Sequence, residues 1–290
     1  MHRFSYQTPP QNASDIAQRL GLRRAGRGWR GRCPACGYAG SLALDERGAR
    51  ALLWCASCAD RAAMGRLLRG GEPPRAAEVE PPARRTEAER AERARALWAG
   101  GEALTPGCPG GRYLEHRRIG HVIGSPALRW RRDCPSPAGG RRIALLAAIT
   151  GPDGEFQAIQ RIFLTRDGEK ADIEPRKATL GPMAGGAIRL QTCSGELAIA
   201  EGLESAASAG LLLDMPAWAA ISAGNLARSM TLPEEIRSVT IAADHDEPGL
   251  RAAEEATWRW QGEGRVVRII RACAPGRDAN DVARAAGASS

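Results

Sequence analysis

The sequence predicts a multidomain protein of mixed α+β and α/β class, in which a small ribbon domain is joined by a linker to a larger core. Two closely spaced cysteine pairs predict the ribbon, over residues 1–69. A stretch rich in Pro, Gly and charge predicts a flexible linker over residues 70–85. From residue 193 to residue 290, apolar strands alternate with helical runs, which predicts a Rossmann-like parallel sheet. Residues 86–192 then form the N-terminal subdomain of the core.

Four cysteines in the N-terminal segment have the spacing of a tetrahedral metal site. Cys33 and Cys36 form one C-x₂-C pair, and Cys55 and Cys58 form a second pair after eighteen intervening residues. Four thiolates in this arrangement are typical of a structural zinc site, which leaves no open coordination position for catalysis. Two disulfides are the alternative, but the N-terminus lacks the apolar run of an export signal.

Local patterns predict short elements around these cysteines. Ser14 is placed to cap a helix over residues 15–20. Residues 45–48 are predicted to form the turn of a hairpin between the two cysteine pairs. A helix is predicted at Arg61–Leu68, directly after the second pair.

The region after the linker begins with a helix and continues as strands that carry basic side chains. Thr86 and Glu89 form a capping-box pattern, which marks the start of the helix. Two apolar strands joined by a P-D-G turn follow, and they contain Arg142 and Arg161. Lys177 comes later, shortly before the parallel-sheet region. Solvated charges on strand surfaces are the alternative interpretation of these basic residues.

Carboxylates follow two strands of the predicted parallel sheet. Glu201 comes directly after the apolar run 196–200, and Asp244 and Asp246 come after the run 239–243. Because the carboxyl ends of parallel strands meet at one edge of a sheet, we expect these three side chains to lie together. Clustered carboxylates repel one another unless they bind a hard divalent cation, for which Mg²⁺ is the natural candidate. The alternative is a solvated acidic loop and a glutamate favoured by a helix dipole.

The charge of the chain changes sign from one end to the other. Residues 1–70 contain 12 arginines and 4 acidic residues, a net charge of +8. Residues 71–190 carry +5, and residues 191–290 carry −5. An anionic polymer is attracted to the first two segments and repelled by the last unless cations fill the carboxylate cluster. This distribution favours a metal-dependent enzyme that acts on nucleic acid.

These motifs carry a resemblance to a known family. E-G at residues 201–202 and D-H-D-E-P-G at residues 244–249, each after an apolar strand, resemble the Toprim domain shared by DnaG-type bacterial primases, topoisomerases and some nucleases. The cysteine ribbon resembles the N-terminal zinc-binding domain of DnaG-type primases, in the four-cysteine form of some phage and plasmid primases. The two strands with their D-G turn, followed by a lysine, resemble the N-terminal half of a primase polymerase domain.

The resemblance implies a DNA primase, which synthesises short RNA primers on a single-stranded DNA template by two-metal phosphoryl transfer with Mg²⁺ or Mn²⁺. It implies that the acidic loop after the last strand, P-G-R-D-A-N-D, supplies a further metal ligand. The implied catalytic and magnesium-binding residues are Glu201, Asp244, Asp246 and Asp278. The implied template- and nucleotide-binding residues are Arg142, Arg161 and Lys177.

One position departs from the DnaG-type pattern. Those enzymes have an aspartate four residues after the glutamate, where this chain has Ser205. Glu204 takes that place, or else the second metal ion is bound more weakly. No role is assigned to His116, His121 and His245, and His245 is interpreted as a spacer within the acidic loop.

Two other functions remain as alternatives: a Toprim-type metal-dependent nuclease, and a non-catalytic protein that binds or loads onto single-stranded DNA. A topoisomerase is excluded because the chain is too short for its large tyrosine-bearing domain. The expected partners are single-stranded DNA, ribonucleoside triphosphates and a separate replicative helicase encoded by a phage, plasmid or integrated element. The lack of a signal peptide and of any apolar run near ~20 residues leads us to expect a cytoplasmic protein and no membrane partner.

Overall fold

A computed structural model describes residues 12–25, 28–37, 40–47, 50–55, 60–71 and 86–286. They belong to two compact units, residues 1–84 with 137–139 and residues 85–136 with 140–290. Cys58 and most of the predicted linker lie outside the described residues, and the fourfold domain division stays a prediction. Among the described helices, none offers the length of apolar sequence that a bilayer crossing requires.

The first unit contains one antiparallel sheet and two helices. The elements are α1 (Ala13–Arg19), β1 (Arg23–Ala25), β2 (Gly28–Gly31), β3 (Leu42–Arg47), β4 (Arg50–Cys55) and α2 (Arg61–Leu68). The four strands pair in sequence order. Leu42, Leu44 and Leu67 are almost fully buried and form one core with the thiols of Cys33 and Cys55. Cys33 and Cys55 are therefore part of the apolar interior of this unit.

Two local predictions for the first unit are wrong by a few residues. Helix α1 is capped by Asn12, whose side chain accepts a 2.8 Å hydrogen bond from the Asp15 N–H, so Ser14 lies inside the helix. Pairing of β3 with β4 continues to Arg47 opposite Arg50, so residues 45–47 belong to the strand and not to a turn. The helix after the cysteine pairs has the predicted bounds.

The second unit begins with two helices and an antiparallel sheet. The elements are α3 (Glu87–Ala99), α4 (Pro109–His116), a 3₁₀ turn (Gly120–Val122), β5 (Leu128–Pro135), β6 (Arg141–Thr150), β7 (Phe156–Leu164) and β8 (Lys177–Leu180). The predicted capping box is present: Thr86 Oγ1 accepts from the Glu89 N–H, and the Glu89 carboxylate accepts from the Thr86 N–H. The four strands again pair in sequence order.

The rest of the second unit is an α/β sheet. The elements are β9 (Ile188–Arg189), β10 (Gly195–Ala200), α5 (Leu203–Leu213), β11 (Ala217–Ala219), a π-helical turn (Asn225–Ser229), β12 (Ile236–Ala243), α6 (Glu247–Gly262), β13 (Val266–Arg271) and α7 (Ala279–Ala286). The strand order is β13-β12-β10-β11-β9, with β10 to β13 parallel and β9 antiparallel to β11. The predicted fold class, an antiparallel ribbon plus a core with a parallel-sheet unit, is confirmed.

The antiparallel sheet of the second unit has two different buried faces. Ile162 pairs with Leu145 on one side and Lys177 on the other, so these three share a face. Leu145 and Ile162 pack in one cluster with Leu203 of α5, and we call this the α5 face. Arg161 is opposite Leu146, which clusters with residues of α3 on the reverse side, the α3 face.

Candidate functional site

Three thiols converge in the first unit. The sulfurs of Cys33, Cys36 and Cys55 all lie within 4.8 Å of one another, and those of Cys36 and Cys55 are 3.6 Å apart. None of the three is in a disulfide. The knuckle after Cys33 closes through a 2.7 Å hydrogen bond from the Gly37 N–H to the Cys33 carbonyl, and Gly37 adopts a positive φ of 73° there. The turn aims both sulfurs of the first pair toward β4.

The thiol geometry fits a tetrahedral zinc ion. Zn–S bonds of about 2.3 Å place neighbouring sulfurs about 3.8 Å apart, close to the observed separation. Burial, followed by the charge and hydrogen bond of Cys55, raises the pKa of the Cys33 thiol well above its ordinary value. A bound cation would reverse this effect, because it stabilises the thiolate. Cys58, the fourth predicted ligand, lies outside the described residues and stays a prediction.

The acidic site lies at the carboxyl edge of the parallel sheet. Glu201 follows β10, and Asp244 follows the neighbouring strand β12, whose run V-T-I-A-A is buried on both faces. Burial raises the pKa of Glu201; the charge of Lys177 and a backbone hydrogen bond at Ala223 oppose that rise, and the charge of Asp246 adds to it. The two strands therefore bring Glu201 and the acids of the loop 244–246 into one electrostatic cluster.

Asp244 is at the centre of this cluster. Burial, and then the charges of Glu201, Asp278 and Asp246, raise the pKa of Asp244 from 3.8 to about 7. Its Oδ1 atom is buried and has no hydrogen-bond partner within the described residues. A buried carboxylate oxygen without a donor is costly, and a cation ligand would remove that cost.

Asp246 and Gly249 shape the turn into α6. Asp246 caps the helix through a 2.9 Å hydrogen bond from the Gly249 N–H, and its own N–H donates to the Asp244 carbonyl at 2.8 Å. A Cβ atom at Gly249 would lie 2.7 Å from that carbonyl oxygen. The final glycine of the D-x-D-x-x-G motif is therefore required because the helix passes too close to Asp244 for any side chain.

The loop before α7 supplies Asp278. The Asp281 N–H donates to the Asp278 carboxylate at 2.9 Å, and the Asp278 N–H donates to the Asp281 carboxylate at 3.3 Å. Asn280 is buried, and its amide donates to the Arg117 carbonyl at 2.7 Å and to Ser208 Oγ at 2.9 Å. The D-x-N-D segment thus anchors α7 through Asn280 and leaves Asp278 close enough to raise the pKa of Asp244.

The donor set of the acidic site fits a hard cation such as Mg²⁺, since it consists of four carboxylates from three loops. In the described part of the chain, no three of these carboxylates place oxygen atoms within 4.8 Å of one another, as the thiols place their sulfurs. The acids are gathered around Asp244 but are less tightly converged than the three thiols.

The predicted basic residues separate onto the two faces of the antiparallel sheet. Lys177 is exposed on the α5 face, and its charge acts on Glu201 and Asp244. Arg161 is on the α3 face, where it is 7% exposed and donates to the Pro135 carbonyl at 2.9 Å. Arg142 is four residues before Leu146 on β6, an even spacing, so it points to the α3 face as well. The structure thus brings only Lys177 to the acids; nucleotide- or template-binding roles for all three stay predictions.

Two groups near the site carry contacts that sequence reasoning did not find. Glu204 is 7% exposed and forms an ion pair with Lys170. Lys170 belongs to no motif that the sequence analysis identified. His245 was interpreted as a spacer, yet its Nδ1 lies 2.7 Å from the Ala272 carbonyl and its Nε2 lies 2.6 Å from Arg271 Nη1. The ring therefore ties the acidic loop to the end of β13, a contact that only the sheet topology reveals.

Family models match most of the second unit. Residues 196–289 match the model of the Toprim domain, and residues 88–190 match a domain of unknown function, DUF7146. No curated protein matches the chain. The C-terminal part of the chain is a Toprim domain, which confirms the resemblance carried by its E-G and D-x-D-x-x-G motifs.

The chain is also similar to solved primase structures at low identity. The primase fragment of the bacteriophage T7 primase-helicase protein is 15% identical, with 89% of this chain and 95% of that chain covered and a TM-score of 0.44. The DnaG catalytic core is 14% identical, with 68% and 75% covered and a TM-score of 0.49. The Aquifex aeolicus primase, with zinc-binding and RNA polymerase domains, is 14% identical, with 95% and 81% covered and a TM-score of 0.36. These low TM-scores leave the family-model match as the finding that identifies the Toprim domain.

Proposed function

We propose that the protein is a DNA primase that synthesises short RNA primers on single-stranded DNA. The observation that carries the proposal is the half-buried Asp244 carboxyl, whose pKa is raised to about 7 by burial and by the surrounding acids of a Toprim domain. Such a site favours a divalent cation, and its position beside Lys177 favours a ligand that brings its own phosphates. The zinc-type thiol cluster in a unit rich in arginine favours a template-binding module.

Asp244, Asp246 and Asp278 would hold Mg²⁺, with Glu201 as a further ligand or as the proton acceptor. When bound, Mg²⁺ supplies charge neutralisation for a triphosphate and lowers the pKa of an attacking hydroxyl. Two residues of the chain would shape the loop that holds the cation. Gly249 permits the close approach of α6, and Asp246 fixes the start of that helix. Lys177 would donate to phosphate oxygens, because its ammonium lies within the field of Glu201 and is exposed.

The first unit would hold the template. Residues 1–70 carry a net charge of +8, and arginines lie over aromatic rings there: Arg24 over Trp29 at 4.3 Å and Arg30 over Trp54 at 5.1 Å. Positive charge combined with aromatic surface is typical of proteins that bind single strands without strong sequence preference. A separate replicative helicase is the partner we propose for delivering that strand.

The acidic site alone would also serve a Toprim nuclease, in which the same cation activates water. The thiol cluster and the arginine-rich first unit favour the primase, because cleavage of DNA does not need a second module that holds template. A protein that only binds single-stranded DNA is less consistent with the site, since retained repelling carboxylates raise the energy of a metal-free fold.

Primer synthesis tests the proposal directly. Single-stranded DNA is incubated with labelled ribonucleotides and Mg²⁺ or Mn²⁺, using the wild type and Asp244→Ala. We expect template-dependent oligomers from the wild type and a loss of about 10³-fold or more in the variant, as for removal of a group that acts in the transition state. Metal-dependent cutting of the DNA without oligomers would establish the nuclease instead, and binding alone would establish the loading protein.

A further inference from the structure

Both lysines of the chain act electrostatically on the same buried carboxylate, and one of them contacts it. The chain has 41 basic residues, and lysine occurs only at positions 170 and 177. Lys170 Nζ lies 2.7 Å from Glu204 Oε1, and the charge of Lys177 also acts on the Glu204 carboxylate. In a chain that otherwise uses arginine, the joint position of its two lysines calls for a physical explanation.

The environment of Glu204 is that of a buried anion with several donors. Glu204 lies on the first turn of α5 and is 7% exposed. The Tyr113 hydroxyl of α4 donates to its Oε1 atom, which Lys170 also contacts. Burial alone would raise the pKa of Glu204, but Lys177, Lys170 and the hydrogen bonds together lower it to about 2. Glu204 is therefore ionised and is satisfied by the protein itself.

Both lysines lie on backbone segments that pair with β7. Lys170 forms a bridge with Leu164 at the end of β7, and Lys177 starts β8 opposite Ile162. Leu164 and Ile162 both pack in the cluster that contains Leu203, the residue before Glu204. The loop from 165 to 176 is thus tied to the start of α5 through the Lys170–Glu204 ion pair, and Lys177 follows directly after the loop.

We infer that Glu204 is a positioning residue, which with Tyr113 and Lys170 fixes the loop 165–176 so that Lys177 faces the phosphates of a bound nucleotide. The inference rests on the proposed function, because it assigns the site a triphosphate ligand. It also bears on the question raised by Ser205: because Glu204 Oε1 accepts from Tyr113 and Lys170, the inference assigns Glu204 a positioning role and not the role of the missing aspartate as a metal ligand.

Lysine suits position 170 better than arginine. An ammonium is a compact point charge with three donors, whereas a guanidinium is planar and wide. Lys170 shares a partly buried space with the Tyr113 ring, 5.8 Å from its centroid, and its side chain is 22% exposed. A guanidinium there would keep the charge but displace the ring or the loop.

The test measures binding, so that it does not depend on primer synthesis. The affinity of the full-length chain for GTP with Mg²⁺ is measured by calorimetry, and its affinity for Mn²⁺ alone is measured by electron paramagnetic resonance. For Glu204→Gln we expect GTP affinity to fall about ten-fold, as when a charge-assisted contact is lost, and Mn²⁺ affinity to stay within about two-fold. The matched control is Glu254→Gln on the exposed side of α6, which should change neither.

A double-mutant cycle supplies the readout that a merely structural role would not move. Lys177→Met should weaken GTP binding in the wild type and have a smaller effect in the Glu204→Gln background, because the ammonium is already misplaced. Additive effects would overturn the inference. If Glu204→Gln does not fold, Tyr113→Phe and Lys170→Arg replace it, each with an expected loss of about three-fold in GTP affinity.

The remaining outcomes separate this inference from the proposed function. GTP binding by the wild type with unchanged or tighter binding by Glu204→Gln overturns the inference alone. A fall in Mn²⁺ affinity comparable with the fall in GTP affinity makes Glu204 a metal ligand and likewise overturns it. A wild-type protein that binds no GTP overturns the proposed function and the inference with it.

Discussion

At the scale of single residues, the surroundings of the Asp244 carboxyl disfavour its ionised form. It is half-buried, one of its oxygens lacks a hydrogen-bond donor, and its pKa is about 7 because of burial and three neighbouring acids. The geometry of the turn does not supply the missing donor, since the Asp246 side chain is occupied as a helix cap. The metal-free protein therefore has less stability near neutral pH than its packing would allow.

Asp244→Asn should stabilise the metal-free protein at alkaline pH. The folded-state pKa lies above the ordinary value of 3.8, so the folded protein holds the proton more tightly than the unfolded chain between these pH values. This proton's contribution to the free energy of unfolding is fully present below about pH 4 and is lost as the pH rises through 7. With solvent screening taken into account, we expect the variant to gain about 1–2 kcal/mol at pH 8 in chelator and nothing near pH 4.

Urea unfolding of both proteins across this pH range checks the prediction. Glu254→Gln removes an exposed acid on α6 and should leave the pH dependence of unfolding as it is in the wild type. Added Mg²⁺ should stabilise the wild type more than Asp244→Asn. A variant that is less stable than the wild type at pH 8 would contradict the account of Asp244 given above.

At the scale of elements, the approach of α6 to β12 decides the shape of the acidic loop. Gly249→Ala places a Cβ 2.7 Å from the Asp244 carbonyl, so the helix must shift. We expect a loss of about 1–3 kcal/mol in the free energy of unfolding, together with weaker Mn²⁺ binding. Gly262→Ala is the matched control at the other end of α6, where a Cβ meets no atom within 4 Å, and it should be neutral or slightly stabilising. Equal effects of the two substitutions would argue against steric control by Gly249.

Sequence patterns predicted these elements where local physics decides them. The capping box at Thr86, the helix Arg61–Leu68 and the acids after β10 and β12 all follow from short-range rules. The sides of the sheet on which Arg161 and Lys177 lie could not be predicted, because that depends on the register of β7 with β8 and on which helix covers each face. A one-residue change of register would exchange the two faces.

At the scale of the whole molecule, the two metal-type sites belong to separate compact units and should respond separately. Removing the predicted zinc ion with a chelator should loosen the first unit's core, because the thiols of Cys33 and Cys55 are buried in it. We expect affinity for single-stranded DNA to fall about ten-fold or more, because the arginines there lose their fixed arrangement. The Mn²⁺ affinity of the acidic site should be unchanged after the chelator has been removed.

Fluorescence anisotropy with a labelled oligonucleotide measures the first effect, and Cys58→Ser should reproduce it if Cys58 is the fourth ligand. Cys273→Ser, at an exposed cysteine beyond β13, serves as the control and should bind DNA normally. DNA affinity that survives complete loss of zinc would show that the template is held elsewhere in the chain.

The distribution of charge and motifs along the chain predicted the broad organisation better than it predicted the details of the site. The cysteine spacing predicted the antiparallel ribbon, and the alternation of strands with helices predicted the parallel sheet. Both could be predicted because each depends on a local sequence pattern. The Glu204–Lys170 pair escaped prediction since its partners are 34 positions apart in sequence and no local pattern links them.

Because lysine is scarce, amine-selective reagents can label this protein at very few positions. Apart from the N-terminal amine, only Lys170 and Lys177 can react with an amine-selective reagent. Acylation would therefore act almost as a site-directed probe of the segment beside the acidic site, without any engineered cysteine. A protease that cuts after lysine would report the same region, since both of its cleavage points fall within one short segment of the chain. Protection of these amines by an added nucleotide would map the ligand's phosphates by mass spectrometry alone.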